Sequence, residues 1–480
     1  MAYLHGSETT EIDVAGRPFS VVLSSVAGFV GIAPKGPVNA LTLVTSPANA
    51  IEVFGAEVPG YSLPEALAAY FAEGGGVVLC VNVFDAATNT AIVTAEAVTV
   101  TAGRLALAAA PYGSLAITNA AGSTTLVLDT DYRVNAYGVV TILNRSVSGG
   151  YPDGTALKAS YTKLAPATVT STQIIGGNDG VSRTGSFLFE LAYSNFGFNA
   201  KILAAPGYST FASVAARLQL LAKKYRGVAL LDAPMGTSLT AVLAGRGIVA
   251  PVGGFDSQSE RTYLLYPHVK RSDPATPATP GNPDPVKLVP YSAVMAGIIS
   301  ATDLTLGFHY SPSNKVMQGV RGLEISLSAA INDPTTDIQV LNSQGITTIF
   351  AGYGTGFRSW GNRSAAFPVS AAVSTFLSVR RTADVIEETI ELNYLPFADL
   401  PTNLATIDAV RQAVNAFLSS LVQRGAIIDG TCEFLAEDNP ISQLAEGFPV
   451  FSYNFLPPPP MERARFKARL DVSLLKKLVS

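Results

Sequence analysis

Two kinds of hydrophobic spacing alternate along the first part of the chain. Residues 21–33, VVLSSVAGFVGIA, and residues 77–84, VVLCVNVF, are nearly continuous apolar runs, as in strands that are buried on both faces. Between these runs, apolar residues three and four positions apart predict a helix over residues 61–75, which opens on the capping-box spacing from Ser62 to Glu65. This part of the chain is therefore predicted to form a β-α-β unit with one short parallel crossover.

The hydrophobic pattern changes character between residues 86 and 165. Threonine and valine alternate there, turns recur at glycines, and no stretch has the period of a helix. This pattern predicts a small β-barrel or sandwich inserted between two α/β regions. From Ile174 onward the alternation resumes, with predicted strands at 200–207, 228–234 and 261–267 and predicted helices at 209–227 and 237–246.

The last large region, residues 311–456, carries two further predicted strands, at 323–328 and 346–354, and a helix is expected within 370–390. The clearest helix of the chain spans 403–424, where Gly425 takes the position that ends many helices in a left-handed turn. An apolar stripe predicts burial of one face of this helix, and it consists of Leu404, Ile407, Val410, Val414, Phe417, Leu421 and Val422.

The chain closes on a proline-rich spacer followed by an alternating segment. The spacer, which predicts a stiff polyproline II rod, consists of Pro457, Pro458, Pro459 and Pro460. Basic and apolar residues then alternate with period two, as in a strand with one solvated face. The basic residues are Arg463, Arg465, Lys467 and Arg469, and the apolar residues include Phe466 and Leu470. Such an extended strand leaves its backbone groups unpaired unless it joins the edge of another sheet.

Residues 1–20 are predicted to form a second extended arm. The residues of its alternating segment that we assign to a linking strand are Glu8, Glu11, Ile12, Asp13 and Val14. The acidic residues of this arm are not accompanied by Lys or Arg within residues 1–16, whereas the segment 463–480 has six basic residues and one acidic residue. The two ends of the chain are therefore electrostatically complementary.

The overall composition favours a protein whose surface faces other protein. Charged residues make up 14% of the chain, against about 25% in ordinary soluble domains, and apolar residues make up 48%. No apolar run approaches the roughly 20 residues of a membrane-spanning helix, and no signal peptide is recognisable. The net charge of −4 argues against a general nucleic-acid binder. We therefore expect assembly with protein partners in a cytoplasm, without membrane insertion.

Residues that would carry catalysis are scarce. The histidines lie far apart, the chain has no GxSxG or GxxxxGK[ST] motif, and its two cysteines lack zinc-ligand spacing. Cys80 is predicted to be a core thiol, and the sequence leaves open an intersubunit disulfide involving Cys80 or Cys432. Asp232 follows a predicted strand and is interpreted as a turn or helix-capping residue. We expect no enzymatic activity, no metal and no cofactor.

Three other functions compete with assembly. An α/β enzyme that binds a nucleotide or a sugar would use residues 174–270 and a pocket that contains Asp232. A surface adhesin would bind a receptor through residues 86–165 and would require an export signal. A nucleic-acid-binding arm would use the basic tail, but its alternation with Ala, Phe and Leu favours a paired strand over a solvated charged segment.

Several stretches, in order along the chain, resemble the tail sheath proteins of contractile-tailed bacteriophages and the related R-type bacteriocins. The N-terminal part contains HGSETTEIDVAGRP, VAGFVGIAPKGPVN and SLPEALAAYFAEGGGVVLCVNV, and the middle contains YLLYPHV and VPYSAVMAGIISATD. SPSNKVMQGVRG then precedes LNSQGITTIFAGYGTGFRSWGNRS, the most specific of these stretches. The resemblance covers nearly the whole chain apart from residues 86–165.

The resemblance implies a mixed α/β fold. A discontinuous conserved α/β sandwich domain is built from both chain ends, and it is accompanied by a second α/β domain, an inserted all-β domain and extended terminal β arms. The expected boundaries are 1–20 for the N-terminal linking arm, 21–85 and 311–456 for the conserved domain, 86–165 for the β insertion, 166–310 for the middle α/β domain, and 457–480 for the spacer and C-terminal arm.

The resemblance also implies a function. A structural subunit of this kind forms stacked, hexameric rings around an inner tail tube and contracts to drive the tube through the host cell envelope. Its expected partners are other copies of the chain, the tube protein, and baseplate and tail terminator proteins. Its expected location is the virion tail, after assembly in the cytoplasm of the host bacterium.

Two kinds of contact surface follow from the resemblance. The strand at 463–472 is expected to join a sheet of an adjacent subunit, beside the arm of another subunit at 8–14. A helix of the conserved domain is expected to face the tube, and the candidate contacts are Arg380, Arg381, Arg411 and Arg424.

Overall fold

The computed structural model describes residues 19–135, 138–246, 255–274, 276–352, 354 and 356–478. The strands of these residues are β1 (Ala27–Gly31), β2 (Leu41–Val44), β3 (Val78–Asn82), β4 (Thr90–Thr101), β5 (Arg104–Leu105), β6 (Leu115–Asn119), β7 (Tyr132–Val134), β8 (Val140–Ile142), β9 (Ala156–Leu164), β10 (Ile202–Ala204), β11 (Val228–Asp232), β12 (Thr262–Leu265), β13 (Val269–Ser272), β14 (Val286–Val289), β15 (Val320–Leu323), β16 (Ile346–Gly352), β17 (Gly356–Trp360), β18 (Gly430–Glu433) and β19 (Ser452–Phe455). The helices are α1 (Pro47–Phe54), α2 (Ser62–Ala72), α3 (Ser171–Ile175), α4 (Ala192–Phe196), α5 (Ala212–Lys224), α6 (Leu239–Gly245), α7 (Tyr291–Thr305), α8 (Asp337–Ser343), α9 (Leu377–Asn393), α10 (Leu404–Gln423) and α11 (Ile441–Ala445).

A central sheet of eight strands has the order β17-β16-β12-β11-β10-β1-β3-β2. Its inner strands run parallel, and the edge strands β2 and β17 are antiparallel to their neighbours. Strands β1, β3, β10 and β11 consist of buried residues throughout, as expected for a parallel sheet covered on both faces. The strands predicted from continuous apolar runs are therefore confirmed.

The central sheet crosses the predicted domain boundaries. β1 pairs with β3 on one side and with β10 on the other, so that strands from residues 21–85 and 166–310 are neighbours. Pairing of β12 with β16 extends the same sheet into residues 311–456. The prediction of a separate second α/β domain at 166–310 is therefore wrong. Apolar runs identify buried strands, but which strands become neighbours depends on long-range packing that local spacing does not encode.

Helices cover both faces of the central sheet. On one face α5 packs on β10 and β11, and its Leu218 and Leu221 enter the core. On the other face α2 and α7 pack against each other and contribute Tyr70 and Val294 to a second core. Because α7 is buried nearly all round, its apolar run belongs to a core helix. No helix among the described residues is long and apolar enough to cross a membrane.

Strands β4 to β9 form a separate sheet of six strands in the order β6-β9-β4-β5-β8-β7. All of its pairings are antiparallel. This all-β unit spans residues 90–164, inside the segment where threonine and valine alternate. Its own core consists of Val98, Val100, Leu105, Ile117, Leu126, Tyr132, Val140, Ile142, Leu157, Ala159 and Tyr161.

Residues 377–456, here called the C-terminal module, contain α9, α10, α11 and the pair β18–β19. A third α/β core lies within the module, distinct from the cores of the central sheet; its buried residues are Ile386, Val414, Phe417, Leu418, Leu421, Ala426, Ile427 and Cys432. The predicted helix at 403–424 is confirmed as α10, and Gly425 follows it with the expected positive φ of 72°.

Two local predictions are wrong because tertiary contacts override the local pattern. Ser62 does not form a capping box: Tyr61 is the N-cap of α2, and the Ser62 hydroxyl accepts a hydrogen bond from the Ile32 N–H at 3.3 Å. The strand predicted at 323–328 is also wrong, since β15 ends where that segment begins. The apolar side chains of that segment pack on the core of the central sheet without a strand partner.

Arg246, directly after α6, joins three separate loops. All of its N–H groups donate to backbone carbonyls at 2.7–2.9 Å, and the acceptors are Phe255, Ser257, Gln344, Ala365 and Phe367. Burial lowers the pKa of the guanidinium, but the planar fork matches the carbonyl positions in a way that an ammonium group cannot. These loops therefore depend on one side chain for their relative positions.

We predict that Arg246→Lys destabilises the chain by about 2–4 kcal/mol. Lysine has three donors, so at least two partly buried carbonyls would lose their hydrogen bonds. Urea denaturation of the full chain measures the change. Arg424→Lys, at an exposed position after α10, is the matched control and should change the free energy of unfolding by less than about 0.5 kcal/mol. Equal effects of the two substitutions would contradict the role assigned to Arg246.

Glu73 ends α2 as a buried carboxylate between two other elements. Both of its oxygens accept the Gln318 N–H at 2.9 Å, and the nearest Arg271 nitrogen lies 3.7 Å away. Burial raises the pKa of Glu73 to about 7, because these partners do not fully replace the lost hydration. Glu73 therefore binds a proton more tightly in the folded chain than in the unfolded chain.

The stability of the chain should consequently depend on the protonation of Glu73. The folded pKa of Glu73 lies above the unfolded value of 4.5. Proton binding by Glu73 therefore contributes fully to the free energy of unfolding below about pH 4.5, and this contribution is lost as the pH rises through about 7. The loss amounts to at most about 3 kcal/mol. We predict that Glu73→Gln removes this part of the pH dependence, which chemical denaturation between pH 4.5 and 8 would measure. A constant difference between variant and parent across that range would contradict the prediction.

Candidate intersubunit interface

The C-terminal module ends in a two-stranded antiparallel sheet. β18 and β19 pair from Gly430 opposite Phe455 to Glu433 opposite Ser452. Neither strand pairs with a third strand of the described chain, so the hairpin has two sheet edges. The surrounding segment 425–461 contains five acidic residues and no Lys or Arg. The module thus presents an acidic hairpin whose edges lack a neighbouring strand.

The root of the N-terminal arm lies on the same module. The rings of Phe19 and Phe417 are 5.5 Å apart, and the Ser20 N–H donates to Asn393 Oδ1 at 3.0 Å. The residues predicted to form the N-terminal linking strand, Glu8, Glu11, Ile12, Asp13 and Val14, lie outside the described residues. Their pairing therefore stays a prediction.

The root of the C-terminal arm is fixed to the body. Pro457 is buried, so the prolines 457–460 do not form the free-standing rod that the sequence predicted. Beyond them Glu462 accepts hydrogen bonds from Arg363, with the closest contact at 2.7 Å. The Arg363 guanidinium also lies over the Phe376 ring, 3.6 Å from its centroid. The exposed arm therefore begins at residue 463.

The arm itself makes no regular secondary structure before a 3-10 helix at Val472–Leu478. Every residue from 461 to 471 is exposed, including Phe466 at 92% and Leu470 at 97%. In the single subunit this segment pairs with no strand among the described residues, and a lone strand is not stable by itself. The predicted strand at 463–470 therefore stays a prediction about the assembled state.

Helix α9 attaches the C-terminal module to the central sheet through ion pairs. Lys201, Arg226 and Arg261 stand just before β10, β11 and β12, and parallel strands place these positions along one edge of the sheet. The acidic face of α9 meets all three cations: Lys201 pairs with Glu388, Arg226 with Glu387 and Glu391, and Arg261 with Asp384. We call this set of contacts the ionic ladder.

Two pairs of the ionic ladder, Lys201–Glu388 and Arg261–Asp384, are largely shielded from water, whereas the pair of Arg226 with Glu391 is partly exposed. Side chains of Lys201 and Asp384 are 5% and 3% exposed. Burial lowers the pKa of Lys201 and raises that of Asp384, although each faces an opposite charge. Sequence reasoning missed the ladder, yet its signal was present: the acids recur at three, four and seven positions from residue 384, which is one face of a helix.

Two of the four candidate tube contacts belong to the interior. Arg381 is 5% exposed on its side chain, pairs with Asp303 at 2.5 Å, and donates to the Ser24 carbonyl at 3.1 Å. Arg380 bonds Asp384 at 2.9 Å and Glu387 at 3.0 Å. The expectation that Arg381 faces the tube is therefore wrong, and Arg380 is held by carboxylates of its own helix and by Glu260 at 3.6 Å.

The other two candidates lie on the surface of α10 and just after it. Arg411 is exposed and pairs with Asp408 at 2.9 Å, one helical turn away. Arg424 is exposed and forms no ion pair within the part of the chain that the structure describes. Both side chains are accessible to a partner, because exposed pairs such as Arg411–Asp408 contribute little stability and separate easily.

Asp232 and the cysteines have structural roles. Asp232 accepts the Ser292 N–H in the first turn of α7 at 2.7 Å and a hydroxyl hydrogen bond from Ser209 at 3.3 Å. The capping interpretation is thus confirmed, and burial raises the pKa of this carboxyl.

Cys80 and Cys432 are free and buried, which confirms Cys80 as a core thiol. Either thiol would need to become exposed before it could bridge two subunits.

Comparison with known proteins relates this arrangement to one family. Residues 184–365 match the phage tail sheath protein central domain, and residues 372–471 match the phage tail sheath C-terminal domain. The tail sheath protein of Burkholderia phage BcepMu is 39% identical over 478 residues, covering 98% of each chain. The tail sheath protein of Escherichia phage P2 is 28% identical over 322 residues, covering 66% of this chain and 75% of the relative.

Solved structures share the fold at lower identity. The contracted helical sheath of the anti-feeding prophage superposes with a TM-score of 0.60 at 18% identity, over 98% of this chain and 100% of that chain. The contracted sheath complex of the PVC extracellular contractile injection system gives 0.59 at 16% identity, over 98% and 99%.

The fold and these matches define a class of structural protein, the sheath subunits of contractile tails, and not an enzyme. The chain belongs to the phage tail sheath protein family. It is accordingly a component of a virion tail. Within the described residues, no group of His, Cys, Asp and Glu could hold a metal ion.

We predict that Glu388→Gln destabilises the chain by about 3 kcal/mol, because Lys201 would lose its countercharge while remaining buried. The difference should shrink as the pH rises from 7 to 10, because burial lowers the pKa of Lys201 and this lysine therefore releases its proton more readily than an exposed lysine. Urea denaturation at pH 7 and pH 10 measures both effects. Asp408→Asn, which breaks the exposed pair with Arg411, is the matched control and should cost less than about 1 kcal/mol. Equal losses would contradict a buried ladder.

Proposed function

We propose that this sheath subunit polymerises as stacked rings, with six subunits in each, around an inner tail tube. Contraction of the sheath then drives the tube through the host cell envelope. The partners are other copies of the chain, the tube protein, and baseplate and tail terminator proteins, and neither nucleic acid nor membrane insertion takes part. Assembly takes place in the cytoplasm of the host bacterium. The likeness to sheath complexes in contracted states supports this proposal.

The observation that carries the proposal is the exposed C-terminal arm. Phe466 and Leu470 are more than nine-tenths exposed, although each would gain roughly 1.5–3 kcal/mol on burial. Their alternation with basic residues suits a strand that buries one face and leaves the other in water. A strand edge bordered by apolar surface on another copy of the chain would satisfy both requirements. The arm is therefore built for a neighbouring subunit.

Strand exchange between subunits follows from that arm. Residues 463–470 of one subunit would add a strand to a sheet of another, beside the N-terminal arm of a further subunit. Each ladder hydrogen bond contributes roughly 0.5–1.5 kcal/mol, and each acidic-basic cross-strand pair about 0.2–1 kcal/mol. No single contact dominates, so repetition over many subunits provides the strength of the lattice.

The acidic hairpin β18–β19 is the sheet we assign as acceptor. It lacks a third strand among the described residues, and its segment 425–461 carries only acidic charge. The arm of residues 463–478 is strongly basic, so its attraction to the hairpin acts over distances up to about 8 Å at physiological salt. Charge complementarity thereby directs the arm to the hairpin of another copy.

The arms are proposed to act as hinges during contraction. Because Pro457 and the Arg363–Glu462 contact fix the root, the chain can pivot from residue 463 onward while the strand stays paired. Contacts between bodies then exchange between two packings, of which the contracted one is lower in energy. The exposed side chains of Arg411 and Arg424 remain the candidates for contact with the tube.

We predict that a chain ending at Glu462 fails to form sheath tubes. This truncation removes the linking strand but keeps the Arg363 contact at its root. A chain ending at Asp471 is the matched control, because it retains residues 463–470 and should still assemble. Negative-stain electron microscopy of the three purified chains, with and without purified tail tube, measures the outcome.

Long hollow tubes from the full chain and from the Asp471 truncation, with dispersed subunits from the Glu462 truncation, would support strand exchange. Strand exchange would be contradicted if the Glu462 truncation formed tubes of normal length and these tubes contracted normally. Dispersed subunits in all samples even with tube present would count against the sheath assembly proposed.

A further inference from the structure

One edge of the hairpin β18–β19 is already occupied within the subunit. The Asn415 side chain, on α10, accepts the Cys432 N–H through Oδ1 at 2.8 Å and donates to the Cys432 carbonyl through Nδ2 at 2.9 Å. A side-chain amide that satisfies both backbone groups of one residue does what a neighbouring strand would do. At this point β18 therefore has no free groups to offer an incoming strand.

The same contact reveals the orientation of the other strand. In an antiparallel pair, opposite residues alternate between bonding each other and facing outward. Because Cys432 faces Asn415, its opposite residue Tyr453 also directs its backbone groups away from the hairpin, and Phe455 two positions later does the same. No loop, turn or side-chain hydrogen bond of the described chain reaches those groups. The β19 edge is therefore the open edge.

We propose that Asn415 determines the edge at which the hairpin accepts arms: it closes β18, so that residues 463–470 of a second copy add only at β19. This inference rests on the strand exchange of the proposed function and deepens it. With one edge closed, two arms bound to one hairpin must lie side by side beyond β19. The strand order is then β18, β19, C-terminal arm, N-terminal arm.

Charge supports this order over its alternative. The hairpin segment is acidic, residues 463–470 are basic, and residues 8–14 are acidic. Placing the basic arm next to β19 sets it between two acidic neighbours, so each interface carries opposite charges. The reverse order would set the acidic arm directly against the acidic hairpin. Closure of β18 also prevents two hairpins from pairing through both edges into aggregates.

Disulfide trapping in assembled tubes distinguishes the two edges. Thr431 on β18 and Asn454 on β19 lie directly opposite each other and are exposed, so Thr431→Cys and Asn454→Cys are matched probes. Each is co-assembled with a second population that carries Arg465→Cys or Phe466→Cys in the arm. Both natural thiols are buried, which keeps the background low. After mild oxidation, a non-reducing gel measures the cross-linked dimer.

The distance between strands makes the yield of cross-linked dimer selective for adjacent strands. Neighbouring strands lie about 4.8 Å apart and next-nearest strands about 10 Å apart, while a disulfide requires Cβ atoms within about 4.5 Å. We expect the Asn454→Cys probe to yield at least about fivefold more dimer than the Thr431→Cys probe. Equal yields, or a higher yield from Thr431→Cys, would overturn the edge assignment while leaving strand exchange intact. Tubes that give no dimer with either probe would overturn strand exchange itself.

A second comparison tests Asn415 directly. Asn415→Ala removes both hydrogen bonds, and Asn415→Asp keeps the acceptor for the Cys432 N–H but not the donor to its carbonyl. We expect the Thr431→Cys dimer to rise at least about fivefold in the alanine variant and less in the aspartate variant. Unchanged yields in variants that still form tubes would overturn the role of Asn415. If the alanine variant does not fold, the aspartate variant alone decides the outcome by the same measure.

Discussion

The constraint that governs this subunit is that the backbone groups of a strand must be paired. The central sheet satisfies it internally, since each of its inner strands lies between two others. The hairpin β18–β19 and the segment 463–470 do not satisfy it within one chain. In the proposed function, a sheath built from such subunits gains its cohesion by completing sheets across subunit boundaries. That proposal accounts for the exposed C-terminal arm and for the opposite charges of the two chain ends.

The second requirement is that the module carrying the arms stays fixed to the body. Helix α9 meets the strand starts through the ionic ladder, in which Lys201 is among the most deeply buried cations. A hydrophobic contact tolerates sliding, whereas hydrogen-bonded ion pairs fix both distance and direction. If the arms are linked as proposed, force transmitted along them would reach the central sheet without separating the module from it, and the proposed hinge would lie outside the module, from residue 463 onward.

The spacing of apolar and polar residues was sufficient to predict helices and strands, but not the contacts between residues far apart in the chain. The central part of the α10 stripe, the glycine after that helix and the buried run around Cys80 were all visible as spacing, although Leu404 and Val422 at the two ends of the stripe are exposed. The placement of β1 beside β10, the five carbonyls around Arg246 and the pairing of Arg363 with Glu462 were not, because their partners are many residues apart. For the same reason, Arg381 looked like a surface cation although its partner buries it.

The most direct test of this account is a cryo-electron microscopy reconstruction of the assembled sheath at a resolution that traces the arms. The account predicts a β18–β19 hairpin extended beyond β19 by strands from two other subunits, with α10 still beside β18. A two-stranded hairpin in the assembled sheath, with each C-terminal arm packed on its own subunit, would contradict it.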